Sequence, residues 1–283
     1  MNISRSRAVD TFKKYGIFWY HGAQKLPIDV YKDIILFHEF VENIAQIINT
    51  DYDNKEKLIV IVQEWHEAYI SHNINHPMYG WFIEVMIRRR IWAEYIKAFL
   101  QSMLVNTTHI SYKTQDEFEV YIYGACKAIW LVVSEIIGCA PAWQTYVHSL
   151  SEWLWLVHML LDLHRDRASW KYYIPQVILD QHGVSSQDIM FAIHSYKPND
   201  ALYHLIKYYV DLHETLLTYA IKWMWYLNKQ WHEWVLIMLS DYENVINTIK
   251  HYDYNVFHPR FRIGLWHSTL GRVIYWFWLL IWR

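Results

Sequence analysis

Glycine and proline are scarce in this chain, 8 and 6 of 283 residues. So few turn formers exclude the turn-dense all-β architectures, collagen-like repeats and disorder. Two cysteines, Cys126 and Cys139, exclude a disulfide scaffold and a four-cysteine zinc site. Charge is nearly balanced, 26 Lys and Arg against 28 Asp and Glu, which gives no case for nucleic-acid binding. No run reaches the roughly 18 uninterrupted apolar residues of a spanning helix. The start, 1–15, is basic and Ser-containing without an apolar stretch. It reads as a solvated arm rather than a secretory signal, ahead of one domain over 16–283. A serine nucleophile elbow, a phosphate loop and a dinucleotide fingerprint are also missing.

Aromatic rings are what the chain has in excess: 17 Trp, 23 Tyr and 11 Phe, beside 17 His. A hydrophobic fraction of 54% is enough for a large core. Apolar spacings of three and four, such as Val30, Ile34, Phe37, Val41, Ile44 and Ile48, predict amphipathic helices throughout. Helices are expected over 28–49, 55–72, 78–88, 91–105, 115–137, 142–166, 200–228, 230–250 and 264–282, with short ones near 176–181 and 186–194. Thr114 and Glu117 have capping-box spacing, and Gly138 with Pro141 stops the helix that they open. Long helices with short connections imply a single all-α bundle. The last stretch, 264–283, ends in ten apolar residues rich in Trp. It is expected to close the core, dock on a partner, or lie peripherally on a membrane.

Asp162 and Asp166 stand four apart, so one helix face carries both carboxylates, with His158 a turn earlier. Two carboxylates so placed repel unless a cation lies between them, and Mg²⁺ bridging to phosphates is the usual answer. A solvated helix end with Asp166 beside an arginine is the plainer reading of the pair. Arg88, Arg89 and Arg90 read as a solvated helix end. His66, His72 and His76 lack a complete zinc pattern.

The surroundings of the Asp pair go further. Leu156 to Pro175, with Asp162, Asp166 and Lys171-Tyr172-Tyr173-Ile174-Pro175, resembles the second aspartate-rich motif of the squalene/phytoene synthase family. Gln181 to Ile189, Tyr112-Lys113-Thr114, Tyr121-Ile122-Tyr123-Gly124-Ala125 and His251 to Arg262 resemble further segments of that family, in order. The resemblance implies an all-α isoprenoid synthase fold in which two aspartate-rich helices face a deep apolar cavity. It implies Mg²⁺ on Asp162 and Asp166, a prenyl diphosphate or isoprenoid lipid as ligand, and Tyr173 at the reaction centre. Glu42, Gln46, His158, Tyr121 and Lys171 then fall at substrate-binding positions.

The chain departs from the family pattern at several points. Where the first aspartate cluster is expected it has Glu42-Asn43-Ile44-Ala45-Gln46, a single acid. Leu161, His158 and Arg165 replace family residues of the second motif, and Arg165 is positioned to neutralise the Asp pair. Lys127-Ala128-Ile129-Trp130 stands in place of a G-x-x-G on the cavity helix, putting a charge and a large ring where a prenyl chain would lie. Phe40 to Gln46 and Gln63 to Glu67 resemble the branch of the family that assembles mitochondrial respiratory complex I. That resemblance implies a catalytically degenerate body without a cofactor. It implies work with respiratory subunits, peripherally on the mitochondrial inner membrane, or in a bacterial cytoplasm or at a bacterial inner membrane face. The alternative it leaves is an active Mg²⁺-dependent head-to-head prenyl transferase.

Overall fold

The computed structural model describes residues 9–10, 23, 26–50, 54–108, 111–139, 144–168, 173–227 and 229–261. Within its helices, the side chains of 48–50, 145, 162, 164–168, 223, 230, 233–234, 237–238 and 241 lie outside that description. The arm 1–15 falls almost wholly outside it, as does the expected helix 264–282. The described residues are overwhelmingly helical and contain no strand.

Helices α1 (Ile28–Thr50), α2 (Asn54–Ile70), α3 (Gly80–Arg89) and α4 (Ala93–Asn106) form the first half. α5 (Gln115–Ile122) passes through a π turn (Tyr123–Lys127) into α6 (Ala128–Ile137). Then come α7 (Gln144–Ala168), short α8 (Gln176–Gln181) and α9 (Ser186–Ser195), α10 (Asp200–Ala220), a 3₁₀ turn (Ile221–Tyr226) and α11 (Lys229–His251). The all-α bundle expected from the apolar spacing is thus the observed fold.

α7 occupies the centre because its sequence is apolar on every side. Trp153 through Leu160 are eight consecutive buried residues, with His158 the one ionisable side chain among them. A helix apolar all round has to be wrapped by others. α10 lies along it and contributes Leu202, Leu205, Ile206, Tyr209 and Val210, all buried. α5 and α6 pack on another side. Gln115–Ile137 is long and apolar enough to cross a membrane by composition, but most of its apolar window is buried in the bundle. Here it serves as a core helix.

The π turn was not visible in the spacing of apolar residues. Its cause lies in a close approach to α4. A Cβ on Gly124 would sit 2.1 Å from both the Ala98 carbonyl oxygen and Ser102 Oγ, so only glycine fits. A π turn loosens the helical hydrogen-bond ladder, and the Ser102 hydroxyl donates to the Tyr121 carbonyl at 3.1 Å at the turn's entrance. Lys127, expected to bring charge into the cavity, instead pairs with Glu152 of α7. The turn rotates it toward a carboxylate, which neutralises it at the helix interface.

Three further expectations are corrected. Arg88 and Arg89 are not a free basic run. Arg88 grips the buried Asp33 of α1 with two hydrogen bonds at 2.7 and 2.8 Å, and Arg89 donates to Asp33 and Asp29 at 2.7 and 2.8 Å. The Arg89 bond holds the Asp29 carboxyl below its ordinary range. The arginine fork suits a carboxylate better than water does once the acid is buried. At Thr114 the hydroxyl accepts from Glu117 N–H as expected, but the Glu117 carboxylate returns to Lys113 N–H at 2.7 Å, one residue outside the box. The full reciprocal box is instead at Ser185 and Asp188. The helix expected to run to 228 stops at Ala220 and tightens into the 3₁₀ turn.

These contacts give the bundle two ends. The Asp29–Arg89 bond places the start of α1 beside the end of α3, and α4 begins immediately after. Gln144 of α7 donates to the Tyr95 hydroxyl of α4 at 3.5 Å, and Tyr146 stacks on Tyr226 at 5.4 Å. The starts of α1, α4 and α7 and the 3₁₀ turn therefore share one end. The later halves of α1 and α7 lie toward the other.

Gly124→Ala should lower stability by about 3 kcal/mol, because backbone and not a flexible side-chain tip must move. Thermal or urea unfolding measures it. A loss under about 1 kcal/mol, the size of a simple repacking, would contradict the close-approach argument.

Candidate functional site

The expected site residues divide between two helices and a loop. Glu42 sits on the inner face of α1 and is 1% exposed. It is held there because Phe40 and Ile44, both 1% exposed, bury the same stretch of helix. One turn on, Gln46 donates its amide to Glu42 Oε1 at 3.3 Å. Glu39, a turn earlier, is buried as well, an acid that the sequence reading passed over. Its spacing of three from Glu42 was the available signal.

Asp162 and Asp166 lie on the last turns of α7, with their side chains outside the described set. Lys171 lies in 169–172, outside it altogether. His158, one turn before Asp162, is 6% exposed and shares a 2.7 Å hydrogen bond with the Tyr242 hydroxyl of α11. Tyr242 was not anticipated. It is the one tyrosine of α11, in a sequence that also holds Trp231 and Trp234, and no motif marks it.

Tyr121 and Tyr173 are brought together. Their rings stack at 5.6 Å and 25°, and Trp155 of α7 meets both edge-on at 5.8 and 5.4 Å. Tyr112 packs on Tyr121 at 5.3 Å. The Tyr173 hydroxyl donates to Asn106 of α4 at 2.9 Å. Backbone bonds from Gln176 N–H to the Tyr112 carbonyl and from Val177 N–H to the Lys113 carbonyl, 2.8 and 3.3 Å, tie the strap after α7 to the entry of α5. Three separate sequence segments thus build one buried ring cluster. Burial raises the Tyr112 hydroxyl far above the ordinary phenol range, so it stays protonated.

Beside His158 is a second buried histidine, His213 of α10, 1% exposed. It stacks on Trp153 at 4.6 Å, and neither ring nitrogen has a hydrogen-bond partner. Burial first, and then Lys250, pushes it down to about 3. Cys126 donates its thiol to the Ser151 carbonyl, and burial pushes that thiol up to about 12, which makes it unreactive. His76 Nδ1 accepts from Met78 and Tyr79 N–H groups at 3.3 Å, a capping role.

Mg²⁺ takes hard oxygen ligands, and α1 offers two buried carboxylates three residues apart, Glu39 and Glu42, with the Gln46 amide N–H facing Glu42 Oε1. Among the described residues no three His, Cys, Asp or Glu side chains are grouped to hold a metal, and Asp162 and Asp166 fall outside that set. Trp130, at the cavity-helix position, is 4% exposed and part of the core.

Residues 14–267 match the family model described as squalene/phytoene synthase. A chloroplastic phytoene synthase of Cucumis melo is 24% identical over 174 residues, 58% of this chain. The match spans only 40% of that relative's length. A crystal structure of a dehydrosqualene synthase in complex with ligand superposes with a TM-score of 0.81 at 14% identity, covering 95% of this chain and 93% of that one. The squalene synthase HpnC of Alicyclobacillus acidocaldarius gives 0.77 at 15% identity over 90% and 97%. YisP of Bacillus subtilis gives 0.66 at 16% identity over 89% and 88%.

The buried His213 links stability to pH. Its folded-state value lies below the ordinary one near 6.5, so between about 3 and 6.5 the unfolded chain binds the extra proton. Stability from this group is full above 6.5 and is lost as pH falls. His213→Phe should remove that slope, leaving the variant about 2 kcal/mol less sensitive to a drop from pH 7 to pH 5. Urea unfolding at both pH values decides it. Equal slopes in parent and variant would show that His213 is not a buried neutral imidazole.

Proposed function

The chain belongs to the squalene/phytoene synthase family, a family of prenyl transferase type, and from that premise we propose that it is a catalytically degenerate member. Its proposed work is as an assembly factor or accessory subunit of a respiratory membrane complex, complex I foremost. The proposed location is peripheral, on the mitochondrial inner membrane.

The observation that carries this reading is the Glu42–Gln46 pair. Diphosphate departure needs cations to neutralise the leaving group, and those cations need anionic ligands. In α1 the carboxylate at the first-cluster position is buried and hydrogen-bonded to an amide that brings no charge. The burial of Trp130 gives further support, since a ring there takes volume that a prenyl chain would use. Residues of the resembled assembly branch, Phe40 to Gln46 and Gln63 to Glu67, supply the partner.

The second reading is an active, Mg²⁺-dependent head-to-head prenyl transferase that condenses two prenyl diphosphates. The buried cluster of Tyr112, Tyr121 and Tyr173 favours it, because three family motifs converge there. Asp162 and Asp166 would then hold the metal, and Glu42, Gln46, His158, Tyr121 and Lys171 would line the substrate.

An assay with farnesyl and geranylgeranyl diphosphate in Mg²⁺ separates the two. The degenerate reading predicts product no greater from the parent than from an Asp162→Ala, Asp166→Ala double variant. Turnover in the parent that the double variant loses would replace it with the transferase. For the partner, affinity purification from the native cell should retain respiratory subunits, and removing the protein should lower assembled complex I. Normal complex levels without it would refute the assembly role.

A further inference from the structure

Exposed tryptophan is unusual in a protein that buries Trp65 and Trp153 completely. Two stand out at the end of the bundle opposite the later halves of α1 and α7. Trp92, just before α4, is 65% exposed, and Trp225, in the 3₁₀ turn, is 85% exposed. Ile221 on the same turn is 44% exposed. The Gln144–Tyr95 and Tyr146–Tyr226 contacts put the two segments on one end.

The charges there favour one sign. Residues 215–232, between Glu214 and Glu233, contain no Asp or Glu, and their charged side chains are Lys222 and Lys229. Lys222 reaches over the exposed Tyr219 ring with Nζ 5.0 Å from its centre. Arg90 is exposed at the end of α3, in a left-handed conformation that turns it out of the helix. Three acids of this end are engaged by other cations, Asp33 and Asp29 by Arg88 and Arg89 and Glu94 by Lys97, while Glu84 and Glu135 lie further back on α3 and α6. Arg90, Lys222 and Lys229 are exposed cations two to four residues in sequence from the exposed indoles of Trp92 and Trp225.

We propose that this end of the bundle, through Trp92, Ile221, Trp225, Arg90, Lys222 and Lys229, is a docking surface for an anionic lipid membrane. Indole rings prefer the headgroup region, where the ring is apolar and its N–H stays wet. Lysine and arginine beside them add attraction to acidic headgroups, which falls off with salt. A protein partner would call for a surface that excludes water over a larger continuous area. Two protruding rings on separate turns, ringed by cations, instead fit a fluid surface that closes around each. The chain would sit end-on, with the later halves of α1 and α7 directed away from the bilayer. The surface is independent of whether the chain catalyses anything.

The test is flotation of the full-length protein with vesicles of phosphatidylcholine alone and of phosphatidylcholine with phosphatidylglycerol. Binding is expected to the second kind and to weaken with salt. A Trp92→Ser, Trp225→Ser variant should bind the anionic vesicles about tenfold more weakly, and a Lys222→Glu, Lys229→Glu variant at least as much. All four side chains are exposed, so unchanged unfolding curves confirm that the fold is intact. Undiminished vesicle binding by both variants overturns the proposal and transfers any membrane contact to another region, 264–283 included. Absence of anionic vesicle binding in the parent overturns it as well. So does loss of an oligomer in the Trp variant, which would assign the end to a second copy of the chain.

Discussion

A helix that is apolar on all sides cannot be stable at a surface, and α7 is such a helix. Burying Trp153 through Leu160 forces neighbours onto every face. α10 covers one side, α5 and α6 another, and α11 reaches in with Tyr242. The close approach of α4 to α5, possible only because Gly124 has no side chain, draws the first half of the chain onto the same core. The Asp33 clasp then fixes α3 against α1 at one end. Because α7 is placed by this wrapping, so are the residues that it carries, His158 on the inside and the Asp pair at its last turns.

The constraint also shapes the chemistry. Polar groups brought inward by such a helix must be paired or kept neutral. His158 finds Tyr242, Cys126 finds a carbonyl, and His213 stays uncharged against Trp153. On α1 the same rule turns Gln46 toward Glu42. The amide reaches one oxygen of that carboxylate, Oε1, at 3.3 Å.

Much of the fold was legible because helix periodicity is a local property. α1 was expected at 28–49 and runs Ile28–Thr50, with Val41 half-buried against the core and Phe40, outside the expected spacing, fully buried. Helix stops were legible where backbone chemistry is special, as at Gly138 in the left-handed region. The π turn was not, since it answers to Ala98 and Ser102 on another helix. Nor were the partners of Arg88 and Arg89, 55 and 56 residues away in the chain. For the site, ordered motifs marked Tyr112, Tyr121 and Tyr173 singly, and the structure packs Tyr121 against both of the others. Tyr242 escaped because one tyrosine among 23 carries no local mark, whereas Glu39 did carry one in its spacing of three from Glu42. The excess of rings resolves in the same way, some into the α7 surroundings and others, Trp92 and Trp225, onto the surface.

The proposed degenerate role turns on whether the face of α1 at Glu42 and Gln46 gathers metal and diphosphate. Calorimetric titration of the protein with inorganic diphosphate, with and without Mg²⁺, tests it most directly. The account predicts no magnesium-dependent gain in diphosphate affinity, and no change on Glu42→Gln. Tight binding that requires Mg²⁺ and is lost in Glu42→Gln would contradict it.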